Sequence, residues 1–235
     1  MSAADVSAQI RLWAAEYGFS RCRFARAKSI PIKPYRDWLS HGCADGLRYL
    51  HQHADLRCAP KIMQPGTKTI ISLVMSYAPA PDEARACADW VSLYARGRDY
   101  HRVLKQRAHR LCNRIAESVE GFEGRACVDT APVAERHWAQ KSGVGWVGRN
   151  GMVIVPGAGS YVLLAEILCN LSLPEDTPLT DEVGDCESCG RCVAACPTGA
   201  LDDAGCFHAE KCLSYHTIEN RGEIPDAIAA TMTNQ

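Results

Sequence analysis

The stretch CESCGRCVAACPTGAL (186–201) decides what the end of this chain must fold around. Cys186, Cys189, Cys192 and Cys196 follow the spacing C-x2-C-x2-C-x3-C, and Pro197 closes the run. A [4Fe–4S] cube needs thiolates at different corners. A tight loop supplies three of them, and the fourth cysteine, one turn on, faces away to serve the other cluster of a two-cluster ferredoxin. The spacing therefore gives Cys186, Cys189 and Cys192 to one cluster and Cys196 to a second. Cys212 is the candidate to join Cys196, and Cys206 stands nearby as a further thiol. Zinc ribbons usually set two C-x2-C pairs further apart, so iron–sulfur is the expected cofactor.

Outward from that run, the chain reads as an ordinary globular protein. Of its 235 residues 47% are hydrophobic and 23% charged, enough to bury a real core in one or two domains. A formal net charge of −1 gives no global field for nucleic acid, so such a partner would have to meet a local patch. The N-terminus MSAADVSAQI lacks the basic and apolar regions of a secretory signal. Every apolar run falls short of the ~20 residues a membrane span needs. A cytoplasmic location keeps thiols reduced, so the 13 cysteines point to metal rather than disulfides. Cys22, Cys43, Cys58, Cys87, Cys112, Cys127 and Cys169 sit in apolar or helical contexts and are expected as packed thiols.

The first 175 residues mix helices and strands. Ser2 and Asp5 suit a capping box before Val6, Ile10, Trp13 and Tyr17, and Gly18 ends that helix. A short helix is expected around Tyr35, Trp38 and Leu39. TIISLVMSY (69–77) reads as a buried strand. A long helix is expected from Asp99 to Val119, with Val103, Leu104, Leu111, Cys112, Ile115 and Val119 as its buried stripe. Ala126 to Val128 reads as a short strand leading into Asp129, then a helix with Pro132 near its first turn. Met152–Val155 and Tyr161–Leu168 flank PGAGS as a hairpin, and TPLTDEVGD (177–185) reads as a linker. From these residues alone, Asp129 is either a helix cap or a side chain aimed into a site.

With these blocks in view, the chain resembles the epoxyqueuosine reductase family. The resemblance runs through LRCAP (56–60), PGTKTIISLVMSY (65–77), YARGRDYHRVLKQR (94–107), VDTAPVAER (128–136), SGVGWVGRNGMVI (142–154), GSYVLLAEIL (159–168), the cysteine run and KCLSYHTIE (211–219). It implies an α+β fold: a cobalamin-binding, nitroreductase-like and reductive-dehalogenase-like domain over residues 1–175, with an appended ferredoxin-like module over 176–235. It implies reduction of epoxyqueuosine to queuosine in tRNA with queuosine-type anticodons, electrons passing from the 4Fe-4S clusters to cobalamin. It implies Asp129 as the acid that protonates the departing oxygen, and Arg57, Ser92, Asp129, Val153 and Leu164 as cobalamin contacts. The electron donor is unspecified, and a monomer is expected.

Two further expectations follow. From Arg96 to Arg114 there are seven Lys or Arg against one acid, Asp99. Arg107, Arg110 and Arg114 share one helix face, and Arg102, Lys105 and His109 another, so either could meet phosphates or stay a solvated surface. The sequence stops at Gln235, ahead of the family's second cysteine motif and C-terminal tail. A shortened product is therefore expected. The alternatives are a non-catalytic remnant or iron–sulfur electron-carrier module, or a corrinoid reductase of another substrate.

Overall fold

The computed structural model describes residues 2–42, 44, 46–79, 91–179, 186, 188–203 and 206–232. Cys43, Cys87 and residues 180–185 of the expected linker lie outside them. In chain order the elements are α1 (Ala3–Glu16), β1 (Arg21–Arg26), α2 (Ile32–Ser40), α3 (Arg48–Gln52), α4 (Ala54–Cys58), α5 (Pro60–Met63), β2 (Thr69–Ser76), α6 (Tyr100–Ser118), β3 (Gly124–Cys127), α7 (Glu135–Lys141), β4 (Trp146–Val147), β5 (Val153–Ile154), β6 (Val162–Cys169), α8 (Arg191–Ala194) and α9 (Asp226–Met232). They group into two compact units. One comprises residues 1–29, 56–147 and 153–183, and the other 30–55, 148–152 and 184–235.

The larger unit is built on a four-stranded antiparallel sheet in the order β1-β2-β6-β3. The central strands β2 and β6 are almost wholly buried, which is why they read as near-continuous apolar runs. One sheet face carries α1 and α6, and the other carries α7. α1 starts with the expected box: the Asp5 N–H donates to Ser2 Oγ at 3.2 Å, and the Ser2 N–H donates back to Asp5 Oδ2 at 2.9 Å. Its Val6, Ile10 and Trp13 pack with Leu104, Ala108, Leu111 and Ile115 of α6 and with Phe24, Ile71, Leu73 and Ile167 of the sheet. Burying each large aliphatic side chain contributes ~1.5–3 kcal/mol. The stripe of α6 includes Ala108, while Val103 and Val119 at its ends are half-buried.

Two local readings change. The helix after β3 does not begin at Asp129 or Pro132. The chain turns there, and α7 opens at Glu135 with Ala134 as N-cap. PGAGS does make a tight turn, closing a bridge between Val155 and Gly159. However, β5 pairs with β4 while β6 runs on into the main sheet, so no β5–β6 hairpin forms. Just ahead of the expected linker (177–185) the chain is anchored. Asp176 accepts two bonds from Arg11 at 2.8 and 3.0 Å and one from the Phe24 N–H at 2.8 Å.

In the smaller unit Leu39, Ala44 and Ala54 form a core with Ile32, Tyr35, Trp38 and Leu50. Its C-terminal part holds α8, a 3-10 turn at Ala209–Lys211, a π turn at Tyr215–Glu219, and α9. Gly46 (φ +88°) fits only glycine, because an added Cβ would run into the Tyr215 hydroxyl.

Candidate active site and cofactor-binding residues

The site begins with the N-terminus of α6. Asp99 caps it, Oδ1 accepting from the His101 N–H at 2.9 Å. The same oxygen faces His101 Nδ1 at 2.8 Å, and His101 Nε2 faces Asp129 Oδ2 at 2.7 Å. An imidazole with a carboxylate at each nitrogen satisfies both only as the doubly protonated cation. Partial burial works against that charge, but Asp99 and Asp129 outweigh it and hold the His101 pKa above its ordinary value. The bond to His101, against slight desolvation, holds Asp99 below the usual carboxylate range.

Asp129 arrives from the other side, on the turn after β3. It has φ +42°, and among the described residues it is the one non-glycine residue with positive φ. Such a conformation costs ~1–3 kcal/mol and persists only where the surroundings impose it. Here its N–H donates to Glu135 Oε1 at 2.7 Å. Asp129 does not cap α7, so the cap reading is excluded. Its carboxyl, about half exposed, accepts from His101 and from the Tyr100 hydroxyl. Burial first, and then the Asp129 charge, push the Tyr100 phenol up.

Tyr100 also lines a cavity of about 520 Å³ with Met75, Tyr77, Leu93, Tyr94, Val103 and Leu163, and with Arg96 and Arg98 at its polar side. An apolar wall with two guanidiniums suits a large ligand that has a flat apolar face and a polar rim. Ser92 is the N-cap of the 3-10 turn Leu93–Ala95, next to two of the lining residues. Arg57, in α4, donates to the Val133 carbonyl at 3.4 Å, beside the Asp129 turn. Val153 is buried in β5, and Leu164 of β6 packs against the same apolar cluster. The structure thus brings Arg57 to the Asp129 turn, sets Ser92 next to Leu93 of the cavity lining, and places Val153 and Leu164 in one apolar cluster.

The cysteines divide by exposure. Cys22, Cys58, Cys112, Cys127 and Cys169 are buried, whereas Cys186, Cys192, Cys196, Cys206 and Cys212 are half-buried and Cys189 is exposed, and none of these is in a disulfide. Cys196 Sγ accepts the Ala200 N–H at 3.2 Å. Burial pushes this thiol up, but N–H donors of Leu201, Thr198 and Ala200 and the Thr198 hydroxyl prevail and bring it below its ordinary value. A sulfur so surrounded is suited to being a thiolate ligand. Cys212 follows the 3-10 turn at Ala209–Lys211. Cys206 instead groups with Asp202 and His208, their ligand atoms lying within 4.8 Å of one another.

The basic residues of α6 also separate. The Arg110 and Arg114 guanidiniums lie over the rings of Tyr17, the C-cap of α1, and Trp13 within it at 5.2 and 5.5 Å, and Arg107 donates to Met75 Sδ at 3.2 Å. Arg102, Lys105 and His109 are exposed. Asp99, Tyr100 and His101 were missed as site residues. The block GRDYHRVL displays them, but a helix start explains all three until the Asp129 turn is seen to close on them.

Comparison with known proteins fits this geometry. The family profile described as "Epoxyqueuosine reductase QueG, DUF1730" matches residues 57–130, and "4Fe-4S double cluster binding domain" matches residues 185–235. Curated epoxyqueuosine reductases match almost the whole chain. That of Gloeobacter violaceus is 39% identical (96% of this chain, 70% of the relative). Those of Leadbetterella byssophila and Aliivibrio fischeri are 36% and 34% identical, each over 98% of this chain and over 75% and 63% of the relative. The chain spans less than two thirds of the length of several curated relatives it matches. Among solved structures, an epoxyqueuosine reductase with a modified tRNA-Tyr stem loop superimposes with TM-score 0.82 at 26% identity (98% of this chain, 62% of that one). The Bacillus subtilis enzyme, described with its catalytic aspartate loop swung out of the active site, gives 0.83 at 25%, with the same coverage. A reductive dehalogenase shares the fold at TM-score 0.63 and 14% identity, over 99% of this chain and 34% of its own.

Proposed function

The chain belongs to the epoxyqueuosine reductase family, and from that membership we propose that it carries the catalytic part of an enzyme reducing epoxyqueuosine to queuosine in tRNA. The observation that carries this reading is the proton-holding chain Asp99–His101–Asp129 beside the cavity lined by Tyr100. Converting an epoxide to an alkene takes two electrons and two protons, and the oxygen leaves as water. Bound cobalamin would supply the electrons at the carbon centre, fed from iron–sulfur clusters. Residues 1–175 are proposed as the catalytic, cobalamin-binding part and 176–235 as the iron–sulfur part. Arg57, Ser92, Val153 and Leu164 would hold the corrinoid. Cys186, Cys189 and Cys192 would hold one cluster, and Cys196 with Cys212 would contribute to the other.

This chain's own residues manage the proton. As the carbon–oxygen bond opens, charge builds on oxygen, and a placed donor is worth ~10²–10⁴ in rate. The proton held on His101 Nε2, its charge sustained by Asp99, would pass to the Asp129 carboxylate and from there to the departing oxygen. The catalytic aspartate loop named for the Bacillus relative supports giving the Asp129 turn this role. The modified stem loop bound by another relative supports tRNA as the substrate.

The test is anaerobic reconstitution with iron, sulfide and cobalamin, followed by turnover of an epoxyqueuosine-modified anticodon stem loop. Asp129→Asn keeps size and hydrogen-bonding capacity but is no acid. It should lower turnover at least ~10²-fold while leaving both cofactor spectra intact. Near-normal turnover by this variant would remove Asp129 from the mechanism.

A further inference from the structure

Behind Asp129 lies a buried polar island in a face otherwise built from apolar side chains. Glu166 is fully buried in the middle of β6, where its Cα register partners are Ser72 of β2 and Cys127 of β3. No N–H or O–H among the described residues reaches either of its carboxyl oxygens, and the Ser72 hydroxyl and Trp138 Nε1 are also buried without a partner there. Its polar neighbour is Glu135, at the start of α7 and within hydrogen-bond reach. A fully buried carboxyl group beside a second, half-buried one is strongly disfavoured as a pair of anions, so one proton is shared between them. Glu135 Oε1 also takes the Asp129 N–H at 2.7 Å.

We propose that Glu135 and Glu166 form an acid–carboxylate clasp in which Glu135 is the positioning residue that sets the left-handed turn of Asp129. The proposal rests on the catalytic role given to Asp129 above. A residue at φ +42° returns to ordinary backbone unless something holds it. The His101 bond holds the Asp129 side chain, whereas only an acceptor for the Asp129 N–H can hold the peptide plane, and Glu135 Oε1 supplies it. Glu166 keeps that acceptor in place by sharing a proton with it. The charges around Glu135 agree. Asp129, Glu166, Cys127 and Tyr100 face it with no positive charge of their own, and Arg136 and Arg57 offset them. Burial, and after it the neighbouring carboxyl, raises Glu166 well above the carboxylate range, and burial raises Glu135 as well.

The readout is hydrogen exchange of the Asp129 amide in the full 235-residue chain, followed by NMR. Loss of a charge-assisted bond should speed it roughly 10- to 100-fold in Glu135→Ala. The same is expected of Glu135→Leu, which fills the volume without offering an acceptor and serves if the alanine variant fails to fold. Glu135→Gln keeps an oxygen for Asp129 and an amide for Glu166, so exchange should stay within about threefold of the parent. The infrared spectrum of the parent near neutral pH should show a protonated carboxyl band that Glu166→Gln removes. In the reductase assay Glu135→Ala should lower kcat and leave KM unchanged. Parent-like exchange in both Glu135→Ala and Glu135→Leu, or a parent spectrum without the acid band, overturns the clasp. Asp129→Asn turnover tests the catalytic reading separately, since exchange at position 129 does not require an active enzyme.

Discussion

His101 shows how one side chain can tie a helix cap to a reaction. Its Nδ1 bonds the carboxylate that caps α6, and its Nε2 bonds the carboxylate proposed as the acid. Because its pKa is raised, the charged form prevails on the acid side and is lost as pH rises through the folded value. Any stability from the two ion pairs follows the same course. It is complete below the unfolded value of ~6.5 and lost above the raised one, and solvent screening weakens it, since the ring is 42% exposed. Asp99→Asn separates the two roles, since Asn caps a helix about as well as Asp but carries no charge. The variant should keep the parent's thermal stability near pH 8 while the His101 titration midpoint, read by NMR, falls toward the ordinary histidine value. An unmoved midpoint would mean that Asp99 is only a cap.

At the scale of elements, α6 has two basic faces with different work to do. Arg110 and Arg114 lie over Tyr17 and Trp13, tying α6 to α1, and Arg102 and Lys105 remain available to phosphate. Alanine at Arg110 or Arg114 should cost ~0.5–1 kcal/mol of stability each, seen as a lower denaturant midpoint. The double variant Arg102→Ala/Lys105→Ala should instead leave stability unchanged and flatten the salt dependence of stem-loop binding, by roughly 0.9 in log–log slope per lost contact with duplex. An unchanged slope would return that face to solvated surface. The period of α6 was readable because apolar residues recur at helical spacing, but which arginines stack was not, because that depends on α1, over 80 residues earlier in the chain. β2 was readable for a similar reason, as a run buried on both faces. The PGAGS turn misled because a tight turn specifies its own closure and not where the next strand pairs. Asp129 carried a role only through family resemblance, since its backbone conformation is imposed by Glu135. Glu166 was the legible signal left unused: a charged residue within VLLAEILC (162–169) is a local conflict of the kind that marks functional sites.

Among the described residues the thiols fall into two populations, and their chemistry should report the fold and the metal separately. Burial pushes Cys22, Cys112 and Cys127 up to about 12 and Cys169 up to about 11, so almost none of their thiolate exists near pH 8. Cys58 is likewise buried. Native alkylation mapped by peptide mass spectrometry should therefore modify Cys186, Cys189, Cys192, Cys196, Cys206 and Cys212 of the metal-free chain quickly. The five buried cysteines should react only on unfolding. Cys43 and Cys87, expected from the sequence as packed thiols, lie outside the described residues. After anaerobic loading with iron and sulfide, Cys186, Cys189, Cys192, Cys196 and Cys212 should fall silent, because a thiolate bound to iron is no longer a free nucleophile. Cys206, grouped with Asp202 and His208, should stay reactive. The pattern separates competing outcomes. A Cys212 that still reacts after loading leaves the ligand set, and a silenced Cys206 enters it. Silence of the same five thiols with bound zinc and no acid-labile sulfide would replace the iron–sulfur assignment with a zinc site. Fast labelling of Cys112 or Cys127 in the metal-free chain would contradict the packing of α6 against the sheet.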